Sequence, residues 1–221
     1  MSTAASRNKF IASVEAVAER RLLRPDPDLD NALANSRKKN LPNISISPMQ
    51  GQHLSVLCQL NGAKSVLEIG TLGGYSTIWF VKAGARVTSI EVRPKHRDVA
   101  LENLHSAGLD AEIILGAALD VLPKLGAEKR QFDLVFIDAD WGDQWEYFDW
   151  AVKLTRKGGC IYIDNVVQEM IYGGASAAEN SLVARLGKDD RVTASLTPTI
   201  SAHKAPGGDA FIDGFVLATV L

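Results

Sequence analysis

The spacing of hydrophobic positions changes character near residue 63. Upstream, Phe10, Val14, Val17, Ala18 and Leu22 recur at helical spacing with charges between them, which predicts an amphipathic helix over residues 5–23. Arg24-Pro25-Asp26-Pro27-Asp28 breaks it, because each proline disfavours helix in the residue before it. Helical spacing resumes over 29–39, residues 41–48 read as extended, and Ser47 before Pro48 is a start signal for a helix over 49–60. From Ala63 onward short apolar runs alternate with helix-length segments, the pattern of a parallel α/β sheet. Runs at 65–69, 86–91, 111–115, 132–138 and 160–164 predict strands, and 76–83, 94–107, 118–125 and 143–155 predict the helices between them, with Gly158-Gly159 ending the last. Beyond Asn165 the chain reads as a glycine-broken loop through Gly174, a helix near 177–186, and strands at 191–196 and 210–220 joined by a Pro206-Gly207-Gly208 link. No repeat or low-complexity linker divides the sequence, so one domain is expected, with residues 1–62 forming N-terminal helices and 63–221 an α/β core.

Composition narrows the possibilities without choosing among them. With 221 residues, 46% of them hydrophobic and 23% charged, the chain can bury a core without staples and has the balance of an ordinary globular protein. A net charge of −2 and the lack of a dense Lys/Arg stripe give no support to a nucleic-acid partner. Arg37-Lys38-Lys39, the one compact basic run, reads as a solvated helix end, the alternative being a contact for an anionic substrate group. Cys58 and Cys160 fall in predicted buried elements and share no metal-ligand spacing, as core thiols of a reducing compartment do. Without a signal-peptide run or a membrane-length apolar stretch, a cytoplasmic protein with no membrane contact is expected.

The chemistry concentrates where predicted strands end. Ser65 to Ile69 runs into the glycine turn Gly70-Thr71-Leu72-Gly73-Gly74, and Tyr75 and Ser76 open a helix, the first βα turn of a nucleotide-binding unit. Its glycines permit close backbone approach, and the helix start offers free N–H groups. The spacing is not a dinucleotide fingerprint, since Glu68 stands where the first glycine of that motif belongs. A carboxylate there repels a pyrophosphate and attracts a cation, such as the sulfonium and ammonium groups of S-adenosylmethionine. Glu91 ends the second strand about 20 residues past the turn, where a carboxylate accepts hydrogen bonds from ribose hydroxyls. Asp138 ends the fourth strand, and Asp164 and Asn165 end the fifth, its neighbour in such folds. Two carboxylates and a carboxamide make a hard-oxygen set suited to Mg²⁺, Mn²⁺ or Ca²⁺, and the lack of Cys or His argues against zinc. Alone, Asp164-Asn165 would read as a turn or helix cap. An NAD-linked oxidoreductase is disfavoured by Glu68 and by the lack of a Tyr/Lys or Cys/His catalytic pair near the sheet edge.

From about Arg20 to the C-terminus the sequence resembles the cation-dependent O-methyltransferases of the catechol and caffeoyl-CoA type, which methylate one hydroxyl of a vicinal diphenol. The resemblance is carried by Arg24-Pro25-Asp26-Pro27, Ser36-Arg37, Leu67-Glu68-Ile69-Gly70-Thr71 with Gly74-Tyr75-Ser76, Phe136-Ile137-Asp138-Ala139-Asp140, Asp164-Asn165-Val166 and Asp213-Gly214-Phe215. It implies a Rossmann-like, doubly wound, seven-stranded and mostly parallel sheet with an antiparallel last strand, the N-terminal helices forming a lid or dimer contact. It further implies that Asp138, Asp164 and Asn165 hold the metal. Glu68, Gly70, Gly74, Tyr75, Ser76 and Glu91, the backbone around Ile46 and Ala118, and the Asp140 side chain would line the S-adenosylmethionine pocket. A small phenolic acceptor, flavonoid or hydroxycinnamoyl, and a homodimer follow from the same comparison.

One departure matters. Where the family commonly has Asp-Ala-Asp-Lys, this chain has Asp138-Ala139-Asp140-Trp141. The lysine is thought to take the phenol proton, and an indole N–H only donates. Asp138 or a metal-bound water is the candidate substitute, with His203 and Lys204 in the late link as weaker ones, and Trp141 either packs on the acceptor ring or covers a loop. A protein that binds S-adenosylmethionine with weak or different methyl transfer is the alternative. His53, His96 and His105 read as structural or solvated, and Trp145, Tyr147, Phe148 and Trp150 as core or subunit contact.

Overall fold

The computed structural model describes residues 4–172, 181–201 and 211–221. Three helices precede the sheet: α1 (Ala4–Leu22), α2 (Pro27–Lys38) and α3 (Pro48–Asn61). The core then alternates as β1 (Ser65–Ile69), α4 (Tyr75–Lys82), β2 (Arg86–Glu91), α5 (Pro94–Ser106), β3 (Glu112–Leu115), α6 (Ala118–Ala127), β4 (Phe132–Ile137), α7 (Gln144–Leu154) and β5 (Thr155–Ile163). It closes with α8 (Val166–Tyr172), α9 (Leu182–Leu186), β6 (Val192–Ser201) and β7 (Phe211–Val220). Strand order is β3-β2-β1-β4-β5-β7-β6, with β7 antiparallel to both its neighbours. The expected seven-stranded, mostly parallel sheet is therefore the observed one.

Alternation along the strands divides the core between two faces. Leu67, Ile69, Val135, Ile137, Ile161 and Ile163 point into a cluster completed by α6, α7, α8 and α9. Val66, Leu134, Phe136 and Tyr162 point the other way, against α2, α3, α4 and Leu104 of α5. Both faces are covered, which is why these strands read as continuous apolar runs.

Local signals set the N-terminal helices. Asp26 caps α2 by accepting from the Asp28 and Leu29 amides, and Pro27 takes the first helical position, where a missing N–H costs nothing. Lys82 at the end of α4 pairs with Asp26 and Asp28, tying α2 to the core. Ser47 caps α3 by accepting from the Gln50 amide, ahead of Pro48. On the glycine turn, an added Cβ at Gly73 would collide with Ser36 Oγ of α2, and Asn103 of α5 donates to the Gly73 carbonyl at 2.8 Å.

Three expectations need correction. β5 begins at Thr155, five residues before the expected strand, and Gly158-Gly159 lies inside it at a register shift against β4. Gly158 adopts a φ of 71°, so the pair works as a bulge rather than as a helix stop. Residues 166–172, expected as loop, form α8, because Asp213 of a distant strand accepts from the Gln168 amide in its first turn. β6 extends to Ser201 because its pairing with β7 continues past Pro198 on the sheet edge. Gly173-Gly174, the first part of the expected 177–186 helix, His203, Lys204 and Pro206-Gly207-Gly208 lie outside the described residues.

Candidate active site

Backbone hydrogen bonds between strand ends place the chemistry. The Gly70 amide donates to the Ile90 carbonyl, that of Asp138 to Ile69, and that of Asp164 to Ile137. Each of these residues is the first beyond its strand, so the glycine turn and the two aspartates stand level along the C-terminal edge of the sheet, where open α/β folds bind ligands. A Cβ at Gly70 would collide with the Asp138 carbonyl, and its φ of 99° suits glycine.

A cavity of about 1110 Å³ opens on this edge. Its wall includes Ile46, Gly70, Tyr75, Ser76, Glu91, Ala118, Asp138, Asp140, Trp141, Asp164 and Asn165, so most of the residues read from sequence meet in one space. Glu68 and Gly74 are not in that wall. Gly74 caps α4 at a φ of 75°, and a Cβ added there would press on Ala100 at 3.1 Å. Glu68 lies behind the turn, fully buried, on the interior face of β1. Its carboxyl accepts from Ser76 Oγ at 2.5 Å, Thr77 Oγ1 at 2.5 Å and Ser89 Oγ at 2.6 Å. Burial, opposed by these hydroxyls and aided by Glu91, pushes it up to about 7. Glu68 therefore braces the start of α4 from below instead of presenting a charge to a ligand.

Glu91 is in the wall and is already anchored. Its Oε2 accepts from the Leu72 amide and its Oε1 from the Arg93 amide, both at 2.8 Å. Leu72 holds a left-handed φ of 50° to reach it, so the carboxylate ties the glycine turn to the end of β2. His96 Nδ1 lies 3.6 Å from Glu91 Oε1. Across the cavity, Asp140 accepts from Tyr147 OH of α7 at 2.5 Å and from the Asp143 amide at 3.2 Å, which fixes its rotamer. Next to it, Trp141 lines the cavity with 39% of its surface exposed.

The acidic end is built from β4, β5 and β7. Asp164 is buried, and Gln50 Nε2 of α3 donates to its Oδ2 at 2.8 Å. Burial, then the Asp138 carboxylate and more weakly Asp213, hold its pKa well above the carboxylate range. Among the described residues no Lys, Arg or His pairs with Asp164 or Asp213. Asn165 follows at a left-handed φ of 58° and donates from Nδ2 to Asp213 Oδ2 at 2.7 Å. Two carboxyl groups and a carboxamide at one end of the cavity are oxygen donors whose chemistry fits a hard divalent ion. Among the described residues no three His, Cys, Asp or Glu side chains form a group that could hold a metal ion by themselves.

The model of the O-methyltransferase family matches residues 26–200. The chain belongs to the O-methyltransferase family. This methyltransferase is 40% identical to the catechol O-methyltransferase of Mycobacterium tuberculosis over 221 residues, 94% of each chain. It superimposes on the O-methyltransferase of Bacillus cereus in complex with SAH with a TM-score of 0.85 at 36% identity, covering 97% of this chain and 100% of that one. For TomG of Streptomyces achromogenes, an O-methyltransferase involved in tomaymycin synthesis and solved with SAM, the TM-score is 0.83 at 34% identity over 96% and 98% of the two chains.

Other wall residues of the methyltransferase escaped the sequence reading of the site. Gln50, His53, Tyr147, Tyr162, Gln168, Asp213 and Phe215 all line the cavity. Tyr162 and Phe215 stack at 4.4 Å with an interplanar angle of 17°, and His53 packs against both rings. Gln50 and His53 were legible as one face of a helix, being three residues apart, but nothing local says that this face meets β5. Asp213 carried a signal, the Asp213-Gly214-Phe215 motif, without a role attached to it. Among the described residues no helix is long and apolar enough to cross a membrane.

Proposed function

We propose that this methyltransferase transfers the methyl group of S-adenosylmethionine to one hydroxyl of a small catechol-bearing phenol, with a divalent cation held by Asp138, Asp164 and Asn165. The observation that carries this reading is that Asp138, the buried Asp164 and the Asn165 carboxamide line one cavity together with the glycine turn and Glu91. The M. tuberculosis relative, named a catechol O-methyltransferase, supports the acceptor class, and the neighbours solved with SAH and SAM support the donor.

Each part of the wall then has a task. Gly70 lets the donor approach the turn, and Glu91, pre-set by the Leu72 and Arg93 amides, accepts from its ribose hydroxyls. Asp140, fixed by Tyr147, and the segments at Ile46 and Ala118 enclose the rest of the donor. When bound, a divalent cation supplies the positive charge that lowers the pKa of a hydroxyl oxygen at neutral pH. Asp138 takes the hydroxyl proton in place of the missing lysine, while the oxygen–methyl bond forms as the sulfur–methyl bond breaks. Trp141 offers a flat apolar face to the acceptor ring.

The test is a mass-spectrometric screen of catechols, monophenols and hydroxycinnamoyl esters, with and without EDTA. Methylated catechol that disappears with EDTA and returns with Mg²⁺ is the expected result, with Asp138→Ala inactive yet still binding S-adenosylmethionine by calorimetry. Equal product with and without chelator would remove the cation from the reading.

A further inference from the structure

We infer that Asp213 is a positioning residue that fixes the Asn165 amide with its oxygen available to a cation, an inference that rests on the cation reading above. A carboxamide can present either an oxygen or an NH₂ group, and a cation accepts only the oxygen. Asn165 Nδ2 is engaged by Asp213 Oδ2 at 2.7 Å, so the amide oxygen is the side-chain atom left over. A carboxylate is an acceptor only, and it cannot satisfy the opposite flip.

Asp213 is itself held from two directions. Its Oδ1 accepts from the Gln168 amide in the first turn of α8 at 3.2 Å and from the Gly214 amide at 2.7 Å. Gln168 Nε2 also donates to the Ile212 carbonyl, fastening α8 to the start of β7. At the next position a Cβ would stand 2.6 Å from both the Thr197 carbonyl oxygen and Val167 Cγ2, so only glycine lets β7 come this close to β6 and α8. The two oxygens thus have different duties. Oδ1 serves the backbone of α8 and β7, whereas Oδ2 serves one side chain, that of Asn165 at its left-handed position.

This division allows a selective test. Asp213→Asn keeps an oxygen for the two backbone amides but can place NH₂ against NH₂ at Asn165. The exchange variant D213N/N165D restores a donor–acceptor pair with reversed polarity and unchanged net charge. Manganese binding to the full chain is measured by titration calorimetry for wild type, D164A, D213N and the exchange variant, with S-adenosylmethionine affinity and the thermal midpoint as companion readouts. Wild type is expected to bind manganese and D164A to lose it, while D213N weakens it about tenfold to a hundredfold, as removal of an outer-shell partner does. S-adenosylmethionine affinity should be unchanged in D213N, and the exchange variant should regain most of the lost manganese affinity. D213N binding manganese like wild type overturns the role of Asp213 and leaves the cation reading standing. Wild type that binds no manganese overturns both. Loss in D213N that the exchange does not repair also overturns the inference, because the damage then lies in α8 and not in amide orientation. If D213N alone does not fold, the exchange variant decides, since manganese binding there supports the pairing and its absence overturns it.

Discussion

At the scale of single residues, a type read correctly can act from an unexpected place. Glu68 is such a case: a carboxyl beside the glycine turn whose partners are three hydroxyls in the interior. Its folded pKa of about 7 lies above the unfolded value of about 4.3, so the folded state binds more protons between those limits. The stability it contributes is full below about pH 4.3 and is lost as pH rises through about 7. Glu68→Gln should flatten that slope, which amounts to about 3 kcal/mol between pH 5 and 8, as read by urea unfolding at the two pH values. An equally steep slope in the variant would assign the pH dependence to other groups. Trp141 invites the opposite kind of change. Trp141→Lys restores a proton acceptor to the cavity and should raise kcat for a catechol at neutral pH by about tenfold or more, at the low end of what general-base catalysis adds, while KM rises with loss of the apolar face. An unchanged kcat would indicate that Asp138 already suffices as the base.

At the scale of elements, each strand end carries out one task while the opposite end holds the sheet together. Asp133, at the N-terminal end of β4, accepts from the Lys64 and Ser65 amides and from Ser65 Oγ, and pairs with Arg156 of β5 at 2.6 Å. Burial would raise its pKa, but the Arg156 and Ser65 contacts outweigh it and hold the group down at about 2. This stability is therefore present above the unfolded value of about 3.9 and lost as pH falls through about 2. Asp133→Asn should cost about 2 kcal/mol of unfolding free energy at pH 7, the scale of hydrogen bonds to a charged group, without altering S-adenosylmethionine affinity. A change in that affinity would show that the two ends of the sheet are coupled. The element pattern was legible because each strand from β1 to β4 is a local apolar run with glycine, proline or acidic punctuation. α8 was not legible, since Gly173-Gly174 argued for loop and the residue that anchors its first turn lies 45 positions away on β7. The early start of β5 was hidden for a related reason: Gly158-Gly159 is a stop signal in isolation and a bulge only when β4 lies beside it.

At the scale of the whole molecule, the donor wall and the acidic wall belong to one cavity because β1, β4 and β5 end level and α3 crosses in front of them. The acidic wall gathers the oxygens of Asp138, Asp164 and Asn165 at one end of the cavity, and the cation reading predicts a stability effect independent of turnover. Manganese or magnesium should raise the thermal midpoint of the wild-type protein and EDTA should abolish the rise, by preferential binding to the folded state. A midpoint indifferent to both ions would count against the cation site. The sequence by itself determined the order and type of most elements, the glycine turn, and the acids at the strand ends, because alternation, capping and turn chemistry are local properties of the chain. Only the tertiary structure decided that Glu68 faces inward to hydroxyls, that Gln50 reaches Asp164, and that Asp213 meets Asn165. Those facts depend on which distant segments pack together, and no local spacing records that.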